Sequence, residues 1–269
     1  MTLSTATALC VPIAAGAAAG VPRPDHVVIV MFENHQQPDV IGSPDAPYIN
    51  SLAQGGANFT ESFAITHPSQ PNYIAQFSGD TQGVSDDSCP NTFTADNLGQ
   101  QLITAGLGFA GYSEGLPSAG DTTCSSGDYA RKHAPWVNFS NLDGSTNQPF
   151  TAFPTDFAQL PTVSYVIPDL CNDMHDCSVS TGDTWLRDNV GAYADWATTH
   201  NSLLVVDFDE DDFTADNRIP TVFYGQPVKT GTYSENITHY SVLRTIEDMY
   251  DLPHLGAAND ASTITDSWQ

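Results

Sequence analysis

Ser69 lies in Thr66-His67-Pro68-Ser69-Gln70-Pro71-Asn72, just ahead of a segment whose apolar residues Ile74, Ala75 and Phe77 and exit glycine Gly79 predict a helix. A helix start offers free backbone N–H groups and the positive end of the helix dipole, which suits an anion held against a hydroxyl nucleophile. Capping alone would also explain a serine there, so the argument rests on its company. Glu33 and Asn34 follow one apolar run, and Asp209-Glu210-Asp211-Asp212 follow another. These are hard oxygen donors, and four consecutive carboxylates repel one another unless a cation or solvent relieves them; a solvated acidic loop is the plainer alternative. Arg131-Lys132-His133 gathers cations in a chain that has only 7 lysines and arginines, as an anion pocket would. His175 and His239 stand among polar residues at the expected end of a strand and start of a helix, where a histidine serves as metal ligand, general acid or hydrogen-bonding loop residue. A nucleophile, a cation to lower its pKa, donors for phosphate oxygens and an acid for the leaving group are together the requirements of phosphoryl transfer.

The elements that must position these groups read as alternating strands and helices. His26–Phe32 is a continuous apolar, β-branched run of strand length, the signature of a buried parallel strand, and such strands present functional groups just past their carboxyl ends. Ala57–Ile65, Gly108–Tyr112, Val163–Pro168, Ser202–Phe208 and Thr221–Tyr224 are further strands. Helices are expected over Ala46–Gln54, Asn97–Ala105 and Asp183–Thr199, with a last one opening at Thr238-His239-Tyr240 and running through Tyr250. The stretch from Asp80 to Asp128, rich in Gly, Ser, Thr and Asp, is expected to pass over the site as a pinned excursion. This pattern predicts one α/β domain over residues 21–269.

Composition narrows the function. With 32 acidic and 7 basic residues the formal net charge is −25, which disfavours binding to nucleic acid and obliges an anionic substrate to be met by local devices. The uncharged, small and apolar residues 1–20 resemble a secretory leader without its usual basic start, and they are too short for a stable membrane span. Lipidation of Cys10 is a second use for that segment. Cys89, Cys124, Cys171 and Cys177 are then an even set consistent with two disulfides outside the cytoplasm. Three connectivities exist; the preferred pairs are Cys89–Cys124 and Cys171–Cys177.

The Glu33-Asn34-His35 strand end, the Ser69 turn, Tyr129-Ala130-Arg131-Lys132-His133-Ala134-Pro135-Trp136, Asn172-Asp173-Met174-His175-Asp176 and Asp209-Glu210-Asp211-Asp212 resemble, in order and spacing, the bacterial phosphoesterase family of acid phosphatases and phospholipases C. The resemblance spans about His26 to Trp268. It implies an alkaline-phosphatase-like three-layer α/β sandwich with a mainly parallel central sheet. It also implies that Ser69 becomes phosphorylated while Glu33, Asn34, Asp209 and Glu210 hold a metal. Lys132 and His133 would contact the phosphate, with Arg131 and Asn72 grouped beside them as substrate-binding residues. His175 would protonate the leaving oxygen or stabilise the transferring group, with Asp173 orienting it, and His239 would complete the far side; Asp173, His175 and His239 could also form a second metal site. The expected cofactor is a divalent ion, calcium, magnesium, manganese or zinc. The expected protein is a secreted phosphatase acting on small phosphomonoesters, phosphoinositides among them. A phospholipase C or other phosphodiesterase is the alternative within enzymes, disfavoured because the chain is shorter than phospholipase members. A non-catalytic, acidic calcium-binding secreted protein is the alternative outside them.

Overall fold

A computed structural model of the chain describes residues 20–214 and 216–269. The expected leader, with Cys10, therefore lies outside the described residues apart from Gly20. In chain order the first half contains β1 (His26–Phe32), α1 (Gln37–Val40), α2 (Pro47–Gly55), β2 (Ala57–Phe63), α3 (Ser69–Ser78), α4 (Leu98–Thr104), β3 (Phe109–Ser113), β4 (Ser125–Ser126) and β5 (Tyr129–Ala130). The second half contains β6 (Asn147–Pro149), β7 (Val163–Ile167), α5 (Val179–Ala197), β8 (Ser202–Phe208), β9 (Thr221–Gly225), β10 (Gly231–Thr238) and α6 (His239–Met249).

Eight strands form one sheet in the order β10-β2-β9-β8-β1-β7-β3-β6. Neighbours run parallel except β9, which is antiparallel to both β2 and β8. The alternation of side chains along a strand divides β1 between two layers. Val27, Ile29 and Met31 face a core with Tyr73, Ile74 and Phe77 of α3 and Val242 and Ile246 of α6, while Val28, Val30 and Phe32 face Ile49 and Leu52 of α2 and Leu186 and Val190 of α5. With helices on both faces, β1 and β8 are buried on both sides, which is why their sequences read as unbroken apolar runs. The expected three-layer α/β architecture is the observed one.

α5 and β10 differ from expectation, and the short elements α1, β4, β5 and β6 were not expected either. The helix expected from Asp183 starts at Val179, capped by the Ser178 side chain, which accepts a hydrogen bond from the Thr181 N–H. Asp183 is buried inside that helix because its carboxylate caps a different one, accepting from the N–H groups of Tyr48 (3.1 Å) and Ile49 (2.8 Å) at the start of α2. β10 was not expected; as an edge strand it alternates half-buried and exposed residues through Asn236 and has no apolar run to announce it. Both disulfides form as expected, Cys89–Cys124 and Cys171–Cys177.

Candidate active site

The register of the central strands brings the site together. β1 and β8 pair in register from His26↔Ser202 to Phe32↔Phe208, so the next residues, Glu33 and Asp209, emerge side by side at the carboxyl rim. The Asp209 N–H bonds the Phe32 carbonyl (3.0 Å), and the Glu33 N–H bonds the Asp173 carbonyl (2.8 Å), which ties the loop after β7 to the same rim. Asn34 turns the chain there with φ +62°, a left-handed conformation that asparagine tolerates, and its N–H donates to Asp209 Oδ1 (3.1 Å).

Ser69 is the first residue of α3 and is buried. Its hydroxyl caps nothing in the helix; it lies 2.9 Å from Glu33 Oε2 and 3.2 Å from Glu210 Oε1. The second oxygen of Glu33 accepts from the Tyr73 hydroxyl, and that of Glu210 contacts His67 Nδ1 at 2.7 Å. Asn72 holds the turn rather than facing a substrate: its Oδ1 accepts from the Ile65 and Thr66 N–H groups and its amide donates to the Thr66 and Pro68 carbonyls.

Glu33, Asp173, Asp209 and Glu210 crowd four carboxylates into a mostly buried volume. Burial, then the charges of Asp209 and Asp173, pushes Glu33 well above the ordinary carboxyl range. Burial above all pushes Asp173 and Asp209 up to about 8 and Glu210 up to about 7, with neighbouring carboxylates adding to it. His133 is pushed well below its ordinary value, by burial first and then by Lys132. It stands between Glu33 Oε1 (3.1 Å from Nε2) and Asp173 Oδ2 (3.2 Å from Nδ1). Glu33, His133 and Asp173 can present three ligand atoms within 4.8 Å of one another. The buried atoms Asn34 Oδ1, Asp209 Oδ2, Asp173 Oδ2 and His133 Nε2 have no hydrogen-bond partner among the described residues. Charges of one sign gathered with orphaned ligand atoms fit a divalent cation. The mixture of hard oxygens with one imidazole suits zinc or manganese better than an all-oxygen site would, whereas calcium and magnesium favour oxygen alone.

Several expected roles are corrected by placement. Arg131 does not face the site: its guanidinium donates to the carbonyls of Thr122, Asn91 and Val137 and to Asn138 Oδ1. His133, expected on the phosphate, joins the ligand-competent cluster instead. Asp173 does not orient the His175 ring. It accepts from the His175 backbone N–H (2.8 Å), while the ring pairs with Asp176 (2.7 Å) and stays partly exposed, 6.3 Å from the His133 ring. His239 lies beneath the rim with no exposure, its Nε2 2.7 Å from the Asp209 carbonyl and its Nδ1 3.5 Å from Asp207. Burial opposes its charged form, but Asp207 and the Asp209 carbonyl outweigh burial and hold it above the ordinary histidine value. It supports the Asp209 main chain rather than closing the far side of the site, and it is not grouped with Asp173 and His175 around a second metal. Tyr73, whose hydroxyl meets Glu33, and Asp87, which pairs with Lys132 Nζ at 2.9 Å, adjoin the site without having been expected there. Tyr73 is four residues after Ser69 on the same helix face, a spacing that could have flagged it.

The eight-stranded, mostly parallel sheet with helices on both faces and carboxylates at its carboxyl rim is the fold of proteins in the alkaline phosphatase superfamily. In fold the chain is similar to a Vibrio parahaemolyticus protein of that superfamily (TM-score 0.62, 11% identity, 91% of this chain and 71% of that one). It is likewise similar to a phosphonate monoester hydrolase from Silicibacter pomeroyi (TM-score 0.61, 10% identity, 91% and 78%). Residues 42–253 match the Phosphoesterase family, and the chain belongs to that family. It is 53% identical over 261 residues to a phosphatidylinositol-3-phosphatase of Mycobacterium tuberculosis, covering 96% of this chain and 87% of that protein. It is 31% identical over 229 residues to an acid phosphatase of Aspergillus fumigatus, covering 76% of this chain and 51% of that protein, so the chain spans about half the length of that fungal relative. The protein is accordingly a phosphatase, a hydrolase of phosphoric monoesters.

Proposed function

We propose that the protein hydrolyses phosphate monoesters, phosphoinositide headgroups among them, through a phosphoserine formed at Ser69, in an oxidising compartment outside the cytoplasm. The observation that carries this reading is the Ser69 hydroxyl between Glu33 and Glu210 at the start of α3. Ser69 Oγ attacks phosphorus as the ester P–O bond breaks. The hydroxyl proton passes to Glu210, whose Oε1 lies 3.2 Å from Ser69 Oγ and whose other oxygen meets the partly exposed His67, an outlet that Glu33, capped by Tyr73, lacks. His175, on the loop closed by Cys171–Cys177 and still partly exposed, gives a proton to the departing oxygen. Water then attacks the phosphoserine and the proton path reverses. A divalent ion held by Glu33, Asp209 and Asn34, or by Glu33, His133 and Asp173, would lower the serine pKa and neutralise phosphate charge.

The phosphoinositide substrate is supported by the mycobacterial relative. Two disulfides support the oxidising compartment. Among the described residues no helix is long and apolar enough to cross a membrane, so a lipid headgroup would be met at the lipid surface. Acid quenching during turnover of a labelled monoester tests the mechanism. Label is expected on Ser69 and lost in Ser69→Ala; label on another residue, or none in a burst, would contradict it.

A further inference from the structure

The start of α3 already has an anion on it. Asp87 Oδ1 accepts the N–H of Gln70, the residue after Ser69, at 3.0 Å, and Asp87 Oδ2 pairs with Lys132 Nζ at 2.9 Å. Those two donors, a helix-start N–H and an ammonium group, suit the oxygens of a phosphoryl group attached to Ser69. The Gln70 N–H is a free donor of the first turn, at the positive end of a ten-residue helix. Lys132 is the cation that Glu33, Asp173 and Glu210 all feel. A carboxylate that spans a backbone N–H and an ammonium group copies two oxygens of a phosphate.

The surroundings hold Asp87 in that place. Two residues on, Cys89 is bonded to Cys124, and the Cys124 carbonyl accepts the Arg131 N–H at 3.0 Å. The Arg131 guanidinium donates to the Asn91 and Thr122 carbonyls, one on each side of that disulfide. The buried arginine thus staples the loop that carries Asp87 to the segment that carries Lys132. The Asp87 side chain is 32% exposed, more than that of Lys132, so it can leave toward solvent without unpacking the core.

Resting on the phosphatase reading above, we propose that Asp87 is a resident anion of the phosphate subsite: it occupies the Gln70 N–H and Lys132, and substrate phosphate binds by displacing it. Asp87 therefore limits affinity for phosphate. Its negative charge also lies close enough to raise Glu210, so it adds to the repulsion an incoming phosphate meets.

The test compares wild type with Asp87→Asn, which keeps size, and Asp87→Ala, which removes the competitor. Binding of inorganic phosphate is followed by calorimetry, and KM for an aryl phosphate is measured in parallel. The Kd for inorganic phosphate and the KM are expected to fall together by roughly 3- to 10-fold in either variant, the effect of removing one partly exposed competing ion pair. Unchanged or weaker phosphate binding in both variants, with an unaltered thermal transition, overturns the proposal and leaves Asp87 as a residue that merely positions Lys132. Calorimetry needs no turnover. A wild-type protein inert toward monoesters would thus count against the phosphatase reading, while phosphate affinity still decides the role of Asp87.

Discussion

A serine hydroxyl is a weak nucleophile in water, and the environment of Ser69 supplies what changes that: two carboxylates within hydrogen-bonding reach and a helix start behind it. The leaving oxygen is the other half of the problem, and here His175 is separable from the rest, since its ring touches Asp176 and none of the carboxylates around Ser69. An alkoxide is a far poorer leaving group than a phenoxide, so a missing acid is felt unequally. His175→Ala is expected to lower kcat/KM for an alkyl phosphate on the order of 10²- to 10⁴-fold and for a nitrophenyl phosphate much less. Parallel initial rates on the two esters check this, and equal losses would remove His175 from the role. The rim placement of Glu33 and Asp209 was legible in the sequence because a rim residue is announced by the apolar strand before it, and the helix start at Ser69 because of the apolar positions and exit glycine that follow it. Arg131 and Asn72 were misassigned for an equally physical reason: a polar side chain looks the same in sequence whether it meets substrate or closes a turn by bonding carbonyls and N–H groups.

At the scale of elements, the strands that carry the site are set by their register, and the helices by caps that sequence alone does not reveal. Asp183 lies inside α5 yet serves the N-terminus of α2, 134 residues away by its shorter bond. Asp183→Ala leaves one buried and one part-buried backbone N–H group of α2 unpaired, an expected loss of about 1–3 kcal/mol in a denaturant titration; a loss below the error of that titration would show that water satisfies them. Sequence reading placed the helix start at Asp183 because an aspartate before an apolar stripe is a common cap, and only the tertiary fold shows which helix it caps. β10 was illegible for the opposite reason, since three of its eight residues are exposed and the strand carries no periodic apolar signal.

On α6, Glu247 is buried with Oε1 accepting from the Leu255 N–H and Oε2 without a partner. Burial, opposed by that hydrogen bond, pushes its carboxyl from an ordinary 4.5 up to about 8. The folded protein thus keeps a proton that the unfolded chain has released between about pH 4.5 and 8, so this group makes stability fall as pH rises through that window. Glu247→Gln keeps an acceptor for Leu255 and cannot ionise. Its Tm relative to wild type is expected to be higher at pH 8 and nearly equal at pH 4.5, and a Tm difference that does not change with pH would contradict the assignment.

The whole molecule carries a formal charge of −25 and still has to receive a phosphate. In the proposed mechanism it does so by concentrating the opposite influence locally, in one lysine, one helix start and a ligand set fitted to a cation. Without a cation, four carboxylates at the rim face one another in low dielectric, which links catalysis, metal and stability at a single place. The most direct test is therefore the rate of hydrolysis of an aryl phosphate monoester by wild type and by Ser69→Ala, each before and after treatment with a chelator and after return of a divalent metal. Turnover by wild type that falls at least roughly 10²-fold in chelator and returns with metal, with Ser69→Ala inactive throughout, is the predicted result. Full activity in Ser69→Ala, or turnover indifferent to a chelator that has stripped the metal, would contradict the account.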